Sequence, residues 1–374
     1  MKKYRIGIIG YGGFGRFLHH WWGKLENVEV VAIADSKTDF TQIDHVKGYR
    51  HWEDLVNAPD VDIVSVVTPP SVHAEIAVAA MKAGKHVMLE KPVAISLAQT
   101  ETIIAAKKET GKVIMVDHML RYNPIVQQLK TLSLSGVLGQ LRHAEVVNYA
   151  QDAALPIDHW FWNKDFSGGI FIEHGVHFID IINSLTAQKV KSVTGVSHWR
   201  NDKQQDQVAA TVLYNEGLIA QHYHSFSGPG FFEQTTIRLK FDLAKMEIQG
   251  WIPIKGKISA LVNDQSKAAL LNLPGWETES NKSISTIEDE SRPEGWGDVD
   301  NTSSSISVGG IQYEVNELID GSLQLSKGKG DVYGKCVQDI LLDLIHCIED
   351  PSFIPKVTIE DAIASVAIAI KATS

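Results

Sequence analysis

Three ionisable side chains share one face of a predicted helix that is otherwise apolar. Residues 169–185 are hydrophobic nearly all round, and Glu173, His177 and Asp180 follow one another at spacings of four and three residues, which places them on one side of an α-helix. Burying such groups without partners or a use is costly. An imidazole exchanges protons near neutral pH, so we expect acid–base chemistry at His177 and a structural ion pair at Asp180. The alternative is a buried Glu173–His177 pair that ties the helix to a sheet.

A glycine-rich segment near the start of the chain has the spacing of a phosphate-binding turn. It follows a predicted strand, precedes a predicted helix and fits the pattern G-x-G-x-x-G. The first glycine of this pattern permits a tight turn, the second lets the backbone approach a pyrophosphate, and the third lets the helix pack on the strand. The expected cofactor contacts in this segment are Gly10, Gly12, Gly13, Phe14 and Gly15.

An acidic residue behind this turn indicates which dinucleotide binds. Asp35 lies 20 residues after Gly15, at the end of the second predicted strand, where a carboxylate accepts hydrogen bonds from a ribose 2′-hydroxyl. Because Asp35 would repel a 2′-phosphate, the sequence favours NAD over NADP. Lys37 would offset part of that repulsion, so NADP stays open as the less favoured cofactor.

The elements that must position these residues begin with a repeating β/α pattern. Over the first 120 residues, short β-branched runs alternate with helical periodicity, which is typical of parallel βαβ units. The predicted strands are 4–9, 29–34, 63–67, 86–89 and 112–116, and the predicted helices are 14–22, 71–83 and 96–110. We therefore predict an α/β protein whose N-terminal domain, residues 1–122, is a doubly wound parallel Rossmann sheet.

The remaining residues, 123–374, predict a second α/β domain. Strand-like alternation and short turns indicate a large, mainly antiparallel, open sheet. Its predicted strands are 142–149, 190–198, 207–213, 218–226, 234–241 and 245–249, and the predicted helices are 124–134, 169–185, 331–348 and 358–372. The polar stretch at about 263–310 predicts loops and short strands.

Composition and charge exclude several classes of protein. The 374 residues are 44% hydrophobic and 21% charged, with a net charge of −10, which is the composition of a folded protein that repels nucleic acid and anionic membranes. No apolar run approaches the ~20 residues of a membrane helix, and the start lacks a signal-peptide core, so we expect a cytoplasmic protein.

Cys336 and Cys347 lie on one predicted helix, about 16 Å apart, which is too far for a disulfide.

Further motifs fall at the carboxyl ends of predicted strands, where open α/β sheets bind ligands. They are Thr68-Pro69-Pro70-Ser71-Val72-His73, Glu90-Lys91-Pro92 and Arg121-Tyr122-Asn123-Pro124, followed by Gly168-Gly169 and the helix that carries Glu173. In this order and spacing, over nearly the whole chain, they resemble the glucose-fructose oxidoreductase / inositol dehydrogenase family (Gfo/Idh/MocA). The resemblance implies a Rossmann domain, a C-terminal domain for substrate binding and oligomerisation, and NAD(P)-dependent oxidation or reduction of sugars, inositols or related polyols.

The resemblance also implies roles for individual residues. The segments lining the nicotinamide would be Thr68, Pro69, His73, Glu90, Lys91 and Pro92, with a cis peptide bond before Pro92. Lys91 would touch the reacting hydroxyl, His177 would act as general base, and Glu173 would orient His177 or hold a neighbouring hydroxyl. The family usually carries Asp where Glu173 stands; the extra methylene moves the carboxylate by about 1.5 Å, so the substrate sits differently or Glu173 has another role.

Other residues are expected to contact the substrate. His174 lies about 100° around the helix from Glu173, and His118 and Asn123 follow the fifth predicted strand. Trp160 and Trp162 offer aromatic faces for a sugar ring, with core packing as the alternative.

Other functions remain as alternatives. An enzyme that retains NAD and uses transient sugar oxidation for elimination or glycoside cleavage would need the same residues, whereas a non-catalytic Rossmann redox sensor would need neither Lys91 nor His177. No metal site is predicted, because the histidine spacings match no dedicated metal motif. Hydrophobic strand positions without a covering helix predict a homodimer or homotetramer.

Overall fold

Two β-sheets organise the chain in a computed structural model that describes residues 2–284 and 304–374. The first sheet has the order β3-β2-β1-β4-β5-β6, and every neighbouring pair is parallel. Its strands are β1 (Tyr4–Ile9), β2 (Val28–Ala34), β3 (Lys47–Tyr49), β4 (Ile63–Val66), β5 (His86–Leu89) and β6 (Ile114–Val116). The order reverses between β1 and β4, which is where sheets of this kind bind ligands.

Helices pack against this sheet, so its central strands are buried almost without interruption, as is usual for parallel strands. They are α1 (Gly13–Trp22), α2 (Trp52–Val56), α3 (His73–Lys82) and α4 (Leu97–Thr110). Ser96 caps α4 by accepting a hydrogen bond from the backbone of Gln99.

The second sheet is larger and mixed, with the order β14-β17-β13-β12-β11-β7-β10-β9-β8. Of its neighbouring pairs, β7 and β10 are parallel and the others antiparallel. The strands are β7 (Leu141–Gln151), β8 (Val190–Trp199), β9 (Gln205–Tyr214), β10 (Ile219–Gly228), β11 (Gln234–Phe241), β12 (Ala244–Gln249), β13 (Lys255–Val262), β14 (Trp276–Ser283) and β17 (Glu317–Gln324); β15 (Ser305–Val308) and β16 (Ile311–Glu314) form a separate hairpin.

The second half of the chain contributes six further α-helices among the described residues. They are α5 (Pro124–Ser135), α6 (Lys164–Ser167), α7 (Val176–Ser184), α8 (Asp264–Leu271), α9 (Lys329–Glu349) and α10 (Ile359–Thr373), with a π-helical turn at Phe171–Gly175 directly before α7. α9 packs on α1, while α10 packs on α7. The indole of Trp22 donates to the carbonyl of Val337 at 2.8 Å, and the hydroxyl of Tyr122 donates to Asp343 at 2.7 Å.

The predicted fold class is confirmed, with corrections to single elements. The expected continuous helix over 169–185 is instead a π turn followed by α7. The sequence does not reveal this turn, because one inserted residue hardly changes an apolar pattern. The polar stretch contains α8, which was not predicted; the part of this stretch at 285–303 lies outside the described residues. Both cysteines are unpaired on α9. Across the described ranges, no helix combines the length and the apolar character that crossing a membrane requires.

Candidate active site

A cavity of about 240 Å³ opens where β4, β5 and β6 end, between the parallel sheet and the π turn before α7. It receives residues from the phosphate loop, from three strand ends and from the second half of the chain. Its lining consists of Phe14, Val67, Thr68, Pro70, Glu90, Lys91, Asp117, Met119, Trp160, Glu173, His174, His177, Trp251 and Tyr333.

Lys91 and Glu173 form an ion pair in this cavity. Nζ of Lys91 donates to Oε1 of Glu173 at 2.6 Å and to the backbone carbonyl of the same residue at 2.9 Å. Both side chains are only 13% exposed. Burial alone would raise the pKa of Glu173, but above all the charge of Lys91, with the hydrogen bond from Lys91, holds that pKa below its usual value. Glu173 therefore stays ionised and positions Lys91; the contact expected between Glu173 and His177 is replaced by this one.

His177 lies beside this pair as a neutral imidazole. It is buried, and its ring packs edge-on against Trp251 with 4.6 Å between centroids. Its Nδ1 has no hydrogen-bond partner among the residues that the structure describes. Burial, followed by the charge of Lys91, lowers its pKa well below the ordinary value. A buried neutral imidazole can accept a proton from a group that enters the cavity.

Asp180 points away from the cavity, although the sequence spacing places it on the same face. Its carboxylate accepts two hydrogen bonds from Arg121, both at 2.7 Å, and both side chains are buried. The π turn separates Glu173 from the regular α7 that carries His177 and Asp180, so the three residues do not converge. The structural ion pair expected for Asp180 is confirmed, and Arg121 is its partner.

The glycine-rich loop has the geometry that a dinucleotide needs. Gly10 has φ of +92°, and a Cβ there would lie 2.2 Å from the carbonyl of Val67; a Cβ on Gly15 would lie 2.2 Å from the carbonyl of Gly10. Gly12 and Gly13 have open space where a Cβ would stand. No side chain caps the start of α1, so its first N–H groups are free to bind a phosphate.

Asp35 supports this loop. Its carboxylate accepts hydrogen bonds from the backbone N–H groups of Tyr11 at 2.9 Å, Lys37 at 2.8 Å and Thr38 at 2.7 Å. Burial would raise the pKa of Asp35, but these N–H groups together lower it. The side chain is half-buried and ionised. Oδ1 accepts two of the three bonds and Oδ2 accepts one, so Oδ2 keeps a lone pair for a ribose hydroxyl. The loop, the free helix start and this carboxylate fit an NAD(P) molecule.

Four polar or aromatic residues expected at the nicotinamide or the substrate do not line the cavity, and neither do Pro69 and Pro92. The structure gives three of the four other bonds. His73 is buried and bridges the carbonyls of Thr68 and Pro92, at 2.9 and 2.7 Å; because burial lowers its pKa to about 4, the neutral ring donates to one carbonyl at a time.

The second and third are Asn123 and Trp162. Asn123 caps α5 and donates to the carbonyl of Pro253, while the indole of Trp162 donates to Leu155. The fourth, His118, lies behind His177, with 6.3 Å between the ring centroids. These four side chains are therefore not among the residues that line the cavity. The cis peptide bond expected before Pro92 is present.

Three polar or aromatic lining residues were missed from the sequence. Asp117 directly follows β6, a position at which a polar residue already signals the ligand edge of a parallel sheet. Trp251 lies in the turn after β12, and Tyr333 lies in the first turns of α9. Only tertiary packing brings these two aromatic residues to the cavity, so no local pattern identifies them.

Comparison with known proteins agrees with this geometry. Residues 4–118 match the oxidoreductase family with an NAD-binding Rossmann fold, and residues 126–243 match the GFO/IDH/MocA C-terminal domain. The 1-carboxy-3-chloro-3,4-dihydroxycyclo hexa-1,5-diene dehydrogenase of Comamonas testosteroni is 25% identical over 291 residues, which cover 72% of this chain and 69% of that protein.

Two further similarities concern an inositol dehydrogenase and a solved structure. The inositol 2-dehydrogenase of Salmonella typhimurium is 32% identical over 186 residues, which are 43% of this chain and 55% of that one, so the match spans about half of each. An aldose-aldose oxidoreductase from Caulobacter crescentus, solved with glycerol, shares the fold with a TM-score of 0.71 at 19% identity, covering 100% of this chain and 98% of that one. The chain belongs to the Gfo/Idh/MocA family of NAD(P)-dependent oxidoreductases.

Proposed function

We propose that this protein is an NAD-dependent dehydrogenase that oxidises a secondary hydroxyl of a cyclic polyol or sugar. The observation that carries the proposal is the meeting of Lys91, Glu173 and His177 in one cavity, at the ligand edge of a sheet that also presents a phosphate loop. A cation, an anion and a neutral base within one small cavity suit a substrate that has several hydroxyl groups.

The division of work among these residues follows from their contacts. His177 takes the hydroxyl proton, for which its neutral state is required. Lys91, held by Glu173, donates a hydrogen bond to the same oxygen and stabilises the negative charge that develops there. A bound nicotinamide would supply the hydride acceptor. His174 and the faces of Trp160 and Trp251 then bind the rest of the substrate ring.

The choice of a cyclic polyol is supported by the similar proteins. By their names, the two curated relatives act on a dihydroxylated six-membered carbocycle and on inositol, which both carry neighbouring hydroxyls on a six-membered ring. Glu173 keeps a carboxylate at the position that the family usually fills with Asp. The longer side chain reaches Lys91 directly, so we infer that it orients Lys91.

NAD is the proposed cofactor because Asp35 is ionised where a 2′-phosphate would lie. Lys37 is exposed and contributes its backbone N–H to Asp35. The guanidinium of Arg50 donates to the carbonyls of Asp35 and Thr38, at 3.3 and 2.7 Å. Because these bonds engage Arg50, it is not free to bind a 2′-phosphate without breaking them.

We propose further that the enzyme works as a homodimer or homotetramer in the cytoplasm. The outer face of the large sheet exposes Val196 by 70%, Tyr149 by 47% and Ile219 by 42%, and such a surface is suited to a second copy of the chain. Light scattering at working concentration tests the oligomer; a monomer would contradict it.

The experiment that tests the activity follows NADH absorbance with NAD and a panel of inositols, aldoses and sugar phosphates. NADH formation with one of these classes supports the proposal and identifies the substrate class. Substrate consumption without net NADH would instead indicate an internal redox cycle, and no reaction with any polyol would contradict the proposal.

A further inference from the structure

Two carboxyl groups meet at the floor of the cavity, and the proposed mechanism uses neither of them. Glu90 directly follows β5 and Asp117 directly follows β6. The last paired residues of these strands, Leu89 and Val116, are opposite each other, so the two acids are neighbours across adjacent parallel strands. Both are buried and both line the cavity, and the charge and hydrogen bond of Asp117 add to burial in raising the pKa of Glu90.

Within residues 2–284 and 304–374, no group donates a hydrogen bond to the carboxylate of Asp117, and both of its oxygens are fully buried. Two buried carboxyl groups in contact cannot both be ionised at low cost, so they share a proton. Burial is the first cause that raises the pKa of each acid, to about 6 for Asp117 and well above the usual value for Glu90.

The charges around the pair leave one negative charge uncompensated. Lys91 is the cation beside the pair, but its ammonium is bound to Glu173. Lys91 and Glu173 therefore cancel, and the acid pair with one shared proton contributes −1. The nicotinamide ring is cationic in NAD⁺ and neutral in NADH, so only the oxidised ring would neutralise this charge.

The other titratable groups around the pair keep one protonation state near neutral pH. Burial raises the pKa of the hydroxyls of Tyr122 and Tyr333, and it raises the pKa of the Cys336 thiol to about 12. Burial likewise lowers the pKa values of the imidazoles facing the cavity region, namely His73, His118, His174 and His177. Glu173 stays ionised. The acid pair is thus the group whose charge changes with pH in this range.

We propose that the Glu90–Asp117 pair makes the enzyme discriminate between NAD⁺ and NADH by charge. The pair then holds more of its proton in the NADH complex than in the NAD⁺ complex. This inference rests on the proposed binding of the nicotinamide at this cavity. The sign follows from electrostatics. A cationic ring favours the deprotonated pair, so NAD⁺ binding strengthens as pH rises and the shared proton leaves, whereas NADH gains nothing from the added negative charge. One linked proton changes the affinity ratio by at most about tenfold per pH unit.

The test measures dissociation constants of NAD⁺ and NADH for the whole protein, without substrate, between about pH 6 and pH 9. This range begins at the pKa of about 6 for Asp117 and extends upward because the pKa of Glu90 is raised well above its usual value. Calorimetry in buffers of different ionisation enthalpy counts the protons taken up or released. We expect the ratio of the NADH to the NAD⁺ dissociation constant to rise severalfold or more across this range. In the Asp117→Asn variant, the amide can donate a hydrogen bond to Glu90, and no proton is shared between two carboxyl groups. Glu90 then stays ionised across this range, and the ratio of the two dissociation constants becomes independent of pH.

The exposed Asp331→Asn variant, on the same helix as Tyr333, is the matched control and keeps the wild-type dependence. Glu90→Gln provides a second variant with one carboxyl and should also give a flat ratio. A ratio that does not change with pH in the wild type, or the same change in Asp117→Asn, would overturn the inference while leaving the proposed function intact. Failure of the wild type to bind either dinucleotide would overturn both.

Discussion

The ammonium of Lys91 is held by one residue through two contacts, the carboxylate of Glu173 at 2.6 Å and its backbone carbonyl at 2.9 Å. The two bonds leave little freedom for the position of Nζ. The third hydrogen of the ammonium remains for a substrate oxygen. Glu173 stands where the family usually has Asp, and its side chain contacts Lys91; the proposed role of Glu173 is to position this ammonium.

Substitution of Glu173 tests this positioning role. In Glu173→Gln the charge that holds Lys91 is lost while the length is kept, and in Glu173→Asp the carboxylate retracts by about 1.5 Å. We expect kcat to fall by about 100-fold in both variants, because misplacement by ~1 Å has an effect of that size, with NAD affinity unchanged. Steady-state kinetics and NAD titration measure these quantities. A Glu173→Gln enzyme with wild-type kcat would refute the role.

The pH dependence of the reaction reports on His177. Because the imidazole acts in its neutral form and its pKa is lowered by burial and by Lys91 from the ordinary 6.5, kcat/KM for the polyol, measured at saturating NAD, should stay constant as pH falls through 6.5 and decline only at lower pH. The comparison is a profile for the wild type and for His177→Asn, which should lose about 100-fold or more. An acid limb at or above pH 6.5 would contradict the assignment.

Asp35 should control cofactor preference. Asp35→Ala removes both the ribose acceptor and the bonds to the backbone of Tyr11, Lys37 and Thr38, so we expect NAD affinity to drop by about tenfold or more. NADP affinity should drop less, because the repulsion of its 2′-phosphate is relieved. Asp35→Asn, which keeps an acceptor oxygen, separates charge from loop support. Equal losses for both cofactors in Asp35→Ala would argue against the role.

The Arg121–Asp180 pair is predicted to be a stability element. Arg121 also lies 3.0 Å from Asp361 at the start of α10, so the pair joins α7 to the C-terminal helix. Removing one partner of a buried pair leaves an unpaired charge, and Arg121→Met should lower the free energy of unfolding by about 3–5 kcal/mol. The exposed pair of Lys335 with Asp339 is the control. Lys335→Met should change the free energy of unfolding by less than about 1 kcal/mol. Denaturant unfolding of both variants is the measurement, and similar values would reject this assignment.

The sequence identified those features that are encoded locally. Alternation of apolar runs predicted the parallel sheet, and the glycine spacing with Asp35 predicted the dinucleotide loop. The π turn before α7 was not predicted, because a single inserted residue leaves the apolar pattern almost unchanged. The aromatic wall of Trp251 and Tyr333 comes from elements distant in sequence, and only the packing of α9 and the turn after β12 brings it to the cavity.

The contact between Glu90 and Asp117 required the register of two strands. Each residue was visible as a polar group at the end of a predicted strand, but their pairing depends on Leu89 lying opposite Val116. In contrast, Asp180 was correctly expected to have a structural partner, because a carboxylate in so apolar a helix needs one. The partner itself, Arg121, was not predicted, since the contact joins residues that are 59 positions apart.

The most direct test of the proposed function measures NADH formation in a single turnover, with NAD and the best substrate of the polyol panel, for the wild type, Lys91→Met and His177→Asn. Cofactor affinity is measured in parallel by the change in protein fluorescence. We expect rapid NADH formation by the wild type and loss of at least about 100-fold in each variant, with NAD affinity nearly unchanged. NADH formation at the wild-type rate in both variants would contradict the proposed function.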